Sequence, residues 1–270
     1  MLCAREAFDH LGSAPMNAVV SRPGEGERLD AEHLIKLALP ELDVLEFTVG
    51  ADYEGPGPHF HEHHVDAFVV LEGELVFEAG EDTVRALPGT SVCVPPGVVH
   101  SFTTADGKGA RFLNVHAPGG FSGYLRAAIA GEEPDPADFD IHDVEEAGGP
   151  GAAIVAADGE GVRSEMPATA SSITIRAERP EVSLLELAVE PAWSGVDLHH
   201  HDDHVDTFFV LEGEAVFLPE GKELRAEAGT LVSAPIGVVH GIGRVDAPAR
   251  FLNLHTPDGG FAAGVRRRAG

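Results

Sequence analysis

Apolar and polar residues alternate along most of this chain in runs too short for helices. Residues 35–37, 44–49, 67–71, 75–78, 83–87 and 91–94 are rich in β-branched or aromatic side chains, and turn signals such as Glu72-Gly73, Gly80-Glu81-Asp82 and Pro88-Gly89 separate them. A period of two bounded by Gly, Pro or Asp is the signature of a half-buried strand. Strands this short and this close together predict a barrel or sandwich, not a sheet of alternating strands and helices. Residues 173–176 and 184–189 open the same pattern again in the second half. One stretch breaks it. After Gly119-Gly120, residues Phe121, Tyr124, Leu125 and Ala128 share a helical face over 121–129. Its counterpart after Gly259-Gly260 reads as a shorter helix ending in Arg266, Arg267 and Arg268, a solvated basic tail beside an acidic body.

The pattern recurs because the sequence does. HFHEHHVDAFVVLEGE, residues 59–74, returns as HHHDDHVDTFFVLEGE, residues 199–214. The same offset of 140 carries Gly89 onto Gly229, Pro95 onto Pro235, Gly97 onto Gly237 and His100 onto His240. It slips by one between RFLNVHAP (111–118) and RFLNLHTP (250–257), and recovers at Phe121 and Phe261. A register held this long indicates a duplicated domain. The chain accordingly divides into an N-terminal arm (1–30), a first barrel (31–130), a linker (131–150) and a second barrel (151–270). The linker is rich in Pro, Gly, Asp and Glu, with a turn of helix expected at 136–140. The first 28 residues show no clear partner in the second half, and a lid, an arm onto the other barrel and a frayed end all fit them. Duplication also marks what can vary: Cys93 faces Ser233 and His63 faces Asp203, whereas His64 matches His204.

Composition narrows the function. Against 45 acidic residues stand 18 Lys and Arg, a net charge of -27 over 270 residues. Such a surface repels phosphate backbones and anionic membranes, which argues against nucleic-acid and membrane roles. Apolar runs stay below the roughly 18 residues of a membrane span, and MLCAREAFDHLGS lacks the apolar core of an export signal, so a cytoplasmic location is expected. Two cysteines, Cys3 and Cys93, fit a reducing compartment, with a disulfide between them left open. The unusual count is 15 histidines.

Their placement suggests a site. His59 and His61 are two apart on a strand and leave one face. Asp66 follows after a turn, and His100 comes one hairpin later behind Pro95-Pro96-Gly97. His199, His201, Asp206 and His240 repeat this spacing. Three imidazoles and a carboxylate suit Fe, Mn, Ni, Cu or Zn, and leave room on the ion for substrate and dioxygen or water. Asp66 and Asp206 are also compatible with a hydrogen-bonding role only. His64 and His204 fit a turn, outer support of the site, or direct ligation. His116 and His255 share a strand face with Asn114 and Asn253, either inside the barrel beside substrate or on an ordinary strand. Phe68, Val70, Phe77, Phe102 and Phe112, with Phe208, Val210, Phe217, Ile242 and Phe251, are expected to line an apolar pocket. Lys36 with Arg176, and Arg111 with Arg250, read as solvated strand-edge charges or as holders of a substrate carboxylate.

With these residues in view, the chain resembles a two-domain cupin over most of residues 30–265. His59, His61 and Gly73 match the first cupin motif, with Asp66 where the family usually has Glu; Gly89, Pro95, Gly97 and His100 match the second, with Thr104 in place of Asn. His199, His201, Asp206 and Gly213, then Gly229, Pro235, Gly237 and His240, do the same in the other half, with Arg244 at the Asn position. The resemblance implies an all-β chain of two tandem double-stranded β-helix (jelly-roll) barrels, holding one or two divalent metal ions. It further implies a metal-dependent dioxygenase, similar to the quercetinase-like two-domain cupins, acting on a small enolic or aromatic substrate. Asp66 or Asp206 would then leave the metal and accept the substrate's hydroxyl proton. A non-redox isomerase or lyase, and a binding cupin without turnover, remain compatible with the same motifs. Because a bicupin is a cupin dimer on one chain, a self-contained monomer or a homodimer is expected.

Overall fold

In a computed structural model, residues 17–105 and 107–269 are described. The strand segments read from the pattern form, nearly to the residue: Ser91–Val94 is a strand, and 44–49 lies within Asp43–Val49. They build two double-stranded β-helix barrels. The first pairs a seven-stranded sheet, with Val65–Glu72 and Ala110–Ala117 at its middle, with a five-stranded sheet containing His59–Phe60 and His100–Thr104. The second pairs a seven-stranded sheet centred on Val205–Glu212 and Ala249–Thr256 with a four-stranded sheet containing Val196–His199 and His240–Ile242.

Alternation along the central strands decides what lies where. Phe68 and Val70 point into the first barrel with Phe77, Phe102 and Phe112, while Ala67 and Val69 point out. The outward set meets Leu184, Phe209, Leu252 and Leu254 of the second barrel in a shared apolar layer, and Phe208, Val210, Phe217 and Phe251 fill that barrel's own interior. Both faces of these strands are therefore dry, which is why they read as continuous apolar runs. The phenylalanines expected to line a pocket instead fill the barrels: the Phe68 and Phe77 rings lie 4.8 Å apart and those of Phe47 and Phe112 5.0 Å apart.

The barrels also exchange strands. Val19–Ser21 pairs with Leu231–Ala234 of the second barrel, and Ile154–Ala156 pairs with Ser91–Val94 of the first. Here the charges read as solvated or substrate-holding find a different place. Lys36 is buried and donates to the carbonyls of Arg22 (3.0 Å) and Glu25 (3.5 Å). Arg176 is buried and donates to Ser91 Oγ (3.2 Å), to the carbonyls of Ala156 (2.8 Å), Ala157 (3.1 Å) and Gly89, and to Glu186. Each thus pins the segment that crosses to the other barrel. Arg111 and Arg250 are taken up by carboxylates, Glu46 and Glu72 for one, Glu186, Glu212 and Asp158 for the other.

Two further expectations change. The helix α2 (Phe261–Ala269) is as long as α1 (Phe121–Ile129), nine residues each, and Arg266 is paired with Glu178. Cys93 is a free, buried thiol that burial pushes up to about 12, as a small core residue would be; Cys3 lies outside the described residues. The described helices include none long and apolar enough to cross a membrane.

Removing Arg176 leaves buried carbonyls and Glu186 short of a partner. Arg176→Ala should cost about 3 kcal/mol in denaturant unfolding, and a loss below about 1 kcal/mol would contradict the role assigned to it.

Candidate metal centres

Antiparallel pairing places His59 directly opposite His100, and Asp66 opposite His116 on the neighbouring strand. The result is a cluster of His59, His61, Asp66 and His100, all buried, whose ligand atoms lie within 4.8 Å of one another. His199, His201, Asp206 and His240 form the same cluster in the second barrel. All eight residues singled out by spacing are brought together as two sets of four.

The ring orientations are fixed from behind. His59 Nδ1–H donates to the Gly57 carbonyl at 2.9 Å, His100 Nδ1–H to Val98 at 3.0 Å and His61 Nδ1–H to Asp140 at 2.8 Å. A neutral imidazole that donates through Nδ1 keeps a lone pair on Nε2, so three lone pairs face one point. His199 and His240 repeat this with the carbonyls of Asp197 (2.8 Å) and Val238 (2.9 Å). The Nε2 atoms of His61 and His201 are buried without a hydrogen-bond partner. An orphaned buried acceptor beside two more imidazoles and a carboxylate is what a divalent cation would satisfy, so the donor set fits such an ion.

The carboxylate is split in function. Asp66 Oδ2 lies 3.2 Å from His100 Nε2 and 3.7 Å from His61 Nε2, whereas Oδ1 accepts from Asn114 Nδ2 at 2.5 Å. Asp206 is held alike, with Oδ2 3.1 Å from His240 Nε2 and 3.7 Å from His201 Nε2, and with Oδ1 accepting from Asn253. One oxygen is thus offered to the cluster and the other is anchored.

Behind the anchor runs a buried polar chain that sequence parity left undecided. Asn114 Oδ1 is 2.9 Å from His116 Nε2, His116 Nδ1 is 3.1 Å from His64 Nε2, and His64 Nδ1 is 3.0 Å from Asp140 Oδ2. Asn253, His255 and His204 repeat it at 3.0 Å and 3.0 Å, ending 2.7 Å from Asp203. His116 and His255 therefore face the barrel interior, and His64 and His204 stand behind the cluster, stacked on His61 and His201 with centroids 3.9 Å apart. Asp140 escaped notice because it comes from the linker, far along the chain from the histidines it holds. Its only sequence signal was the turn of helix expected at 136–140, found at Pro136–Phe139.

The electrostatics keep these groups ready for a cation. Burial would raise the Asp66 carboxyl, but the imidazoles around it, His116 foremost and then His100 and His61, hold it well below the usual carboxylate range. Asp206 is lowered for the same reasons, with His255 foremost among the groups opposing burial. Burial, with help from His100, lowers His59 to about 4, and burial lowers His199 as well, so both are neutral at physiological pH and no proton need leave them before a metal binds. His240 is raised: burial opposes its charge, but the bond to Asp206 outweighs that.

Comparison with known proteins agrees with this geometry. The Cupin domain family model matches residues 45–116 and 185–255, more than half of the chain, which belongs to that family. Quercetin 2,3-dioxygenase of Bacillus subtilis is 31% identical over 115 residues, 40% of this chain; the match spans 33% of that protein. Among solved structures, oxalate decarboxylase of Lactobacillus farciminis in a formate complex superimposes with a TM-score of 0.63 at 15% identity, covering 91% of this chain and 88% of that one. Salicylate 1,2-dioxygenase of Pseudaminobacter salicylatoxidans does so with a TM-score of 0.60 at 12% identity, covering 84% and 74%. At these identities the structural likeness is one of fold.

Elemental analysis of protein purified without added metal should find close to two divalent ions per chain, with His61→Ala and His201→Ala each removing one. Asn114→Ala frees Asp66 Oδ1 and should weaken metal binding at the first cluster by roughly 10–100-fold, measured by competition with a chelator, while leaving the second unchanged. Equal weakening at both clusters would contradict the assignment.

Proposed function

We propose that this member of the cupin family is a metal-dependent dioxygenase acting on a small enolic or aromatic substrate. The observation that carries the reading is the duplicated set of three inward-facing Nε2 lone pairs and one ionised carboxylate oxygen. The partial identity to a quercetin 2,3-dioxygenase supports the reaction class. In this reading His59, His61, Asp66 and His100, with His199, His201, Asp206 and His240, hold the metal. When bound, the metal supplies Lewis-acid stabilisation of the substrate's developing oxyanion and a place for dioxygen beside it.

The chain's own residues do the rest. The Nδ1–H bonds to backbone carbonyls hold each imidazole in one tautomer and one orientation through turnover. Asp66 Oδ2 or Asp206 Oδ2 takes the proton of the substrate hydroxyl, while Asn114 or Asn253 keeps the other oxygen in place. At the second cluster a cavity of about 290 Å³ is lined by His201, His204, His255, Gly259, Gly260, Phe261, Gly264 and Val265. His255 and Phe261 stack there with centroids 4.9 Å apart, a flat wall suited to an aromatic ring.

An oxygen electrode tests the proposal. Oxygen uptake should require both a bound metal and an enolic or aromatic substrate, and Asp206→Asn should lower it by roughly 100-fold or more at the second cluster. Turnover that continues without oxygen would replace the dioxygenase with a non-redox isomerase or lyase, and no uptake with any substrate of this class would leave a binding protein.

A further inference from the structure

The two clusters match in their ligands but not in their access. The imidazole of His61 is 2% exposed and that of His201 is 21% exposed. The helices beside them differ in the same sense. The offset of 140 sets Gly123, Tyr124 and Leu125 of α1 against Ala263, Gly264 and Val265 of α2. Both helices begin with a phenylalanine stacked on the inner histidine, Phe121 on His116 at 4.1 Å and Phe261 on His255 at 4.9 Å. Three residues on, on the same side of the helix, Tyr124 stands in the first barrel and Gly264 in the second.

In the first barrel, rings fill the space over that stack. Tyr124 lies 6.0 Å from Phe121 and 5.7 Å from Phe139, which comes from the linker. Gly123 makes room for the linker ring, since a Cβ there would come within 3.1 Å of Phe139. The linker then continues across the cluster. Its Asp140 carbonyl accepts from His61, its His142 ring stacks on Phe60 at 4.9 Å, and His142–Asp143 pairs with His59–Phe60.

In the second barrel the same space is the cavity of about 290 Å³ beside His201, His255 and Phe261. A Cβ on Gly264 would meet only the far end of Arg267, at 3.7 Å, so among the described residues nothing replaces the Tyr124 ring. Phe261 is exposed at the mouth. A volume at the low end of the roughly 300–1,000 Å³ of small-molecule sites suits one aromatic ring with its substituents, and is too small for a molecule of several linked rings.

We propose that substrate binds at the second cluster alone, as a single-ring aromatic compound seated on Phe261 and His255, and that Gly264 is the residue that admits it. The first cluster, shut in by Tyr124, Phe139 and the linker strand, ties the linker to its barrel and takes no substrate. The proposal rests on the aromatic-substrate reading given above and narrows it to one site and one ring.

Calorimetric titration of the zinc-loaded full chain with 4-nitrocatechol, a single-ring diol, tests it with no oxygen chemistry involved. One molecule should bind per chain. Gly264→Tyr should weaken that binding by at least about ten-fold and Gly264→Ala by less, while both variants keep two zinc ions per chain, which shows them folded. His201→Ala should abolish the binding. Two molecules bound per chain, an affinity indifferent to Gly264→Tyr, or no binding at all would overturn the proposal. The dioxygenase reading fails on a different result, the absence of oxygen uptake, so either can fall without the other.

Discussion

The structure turns on a modest hydrogen bond repeated around each barrel, from imidazole Nδ1–H to a backbone carbonyl. A carbonyl two residues earlier in the chain serves His59, His100, His199 and His240, so the local backbone itself sets the ring angle. Neutral histidines bonded in this way keep their lone pairs on the far nitrogen, and antiparallel pairing brings those nitrogens together. The rest follows from what a buried cluster of acceptors requires: a cation to satisfy it, a carboxylate to balance that cation, and an amide to hold the carboxylate's spare oxygen.

That requirement explains why so much polar material is buried. Asn114, His116 and His64 connect the carboxylate to Asp140, and Asn253, His255 and His204 connect its counterpart to Asp203. The inner members match one for one. The outer carboxylates come from unrelated positions, one on the linker and one on the loop between His201 and Asp206. A buried histidine pair with an anchored inner end needs an acceptor at its outer end, and the two halves meet that need with different parts of the chain.

Much of this was legible in the sequence. Short apolar runs bounded by turn residues marked the strands, because each central strand buries both faces in different layers, and the spacing of His59, His61, Asp66 and His100 identified a group that does meet. Lys36 and Arg176 misled because a charge on a strand ordinarily faces water; here each is enclosed by the crossing segment that it ties down. Residues 18–28, AVVSRPGEGER, do have a partner in AIVAADGEGVR at 153–163, hidden by a change of offset from 140 to 135 that the shared glycine turns at Gly24 and Gly159 make plain once the strands are seen. Asp140 carries no periodic signal at all, since its role rests on a contact with histidines far away in the chain.

The central claim is that each barrel offers one ion three Nε2 atoms and a single carboxylate oxygen. Anomalous diffraction at the absorption edge of the metal bound in crystals of the loaded protein tests it directly. The account predicts two peaks per chain, one bonded to His59, His61, His100 and Asp66 Oδ2, the other to His199, His201, His240 and Asp206 Oδ2. A peak held through Asp66 Oδ1 or Asp206 Oδ1, or peaks only at surface carboxylates, would contradict it.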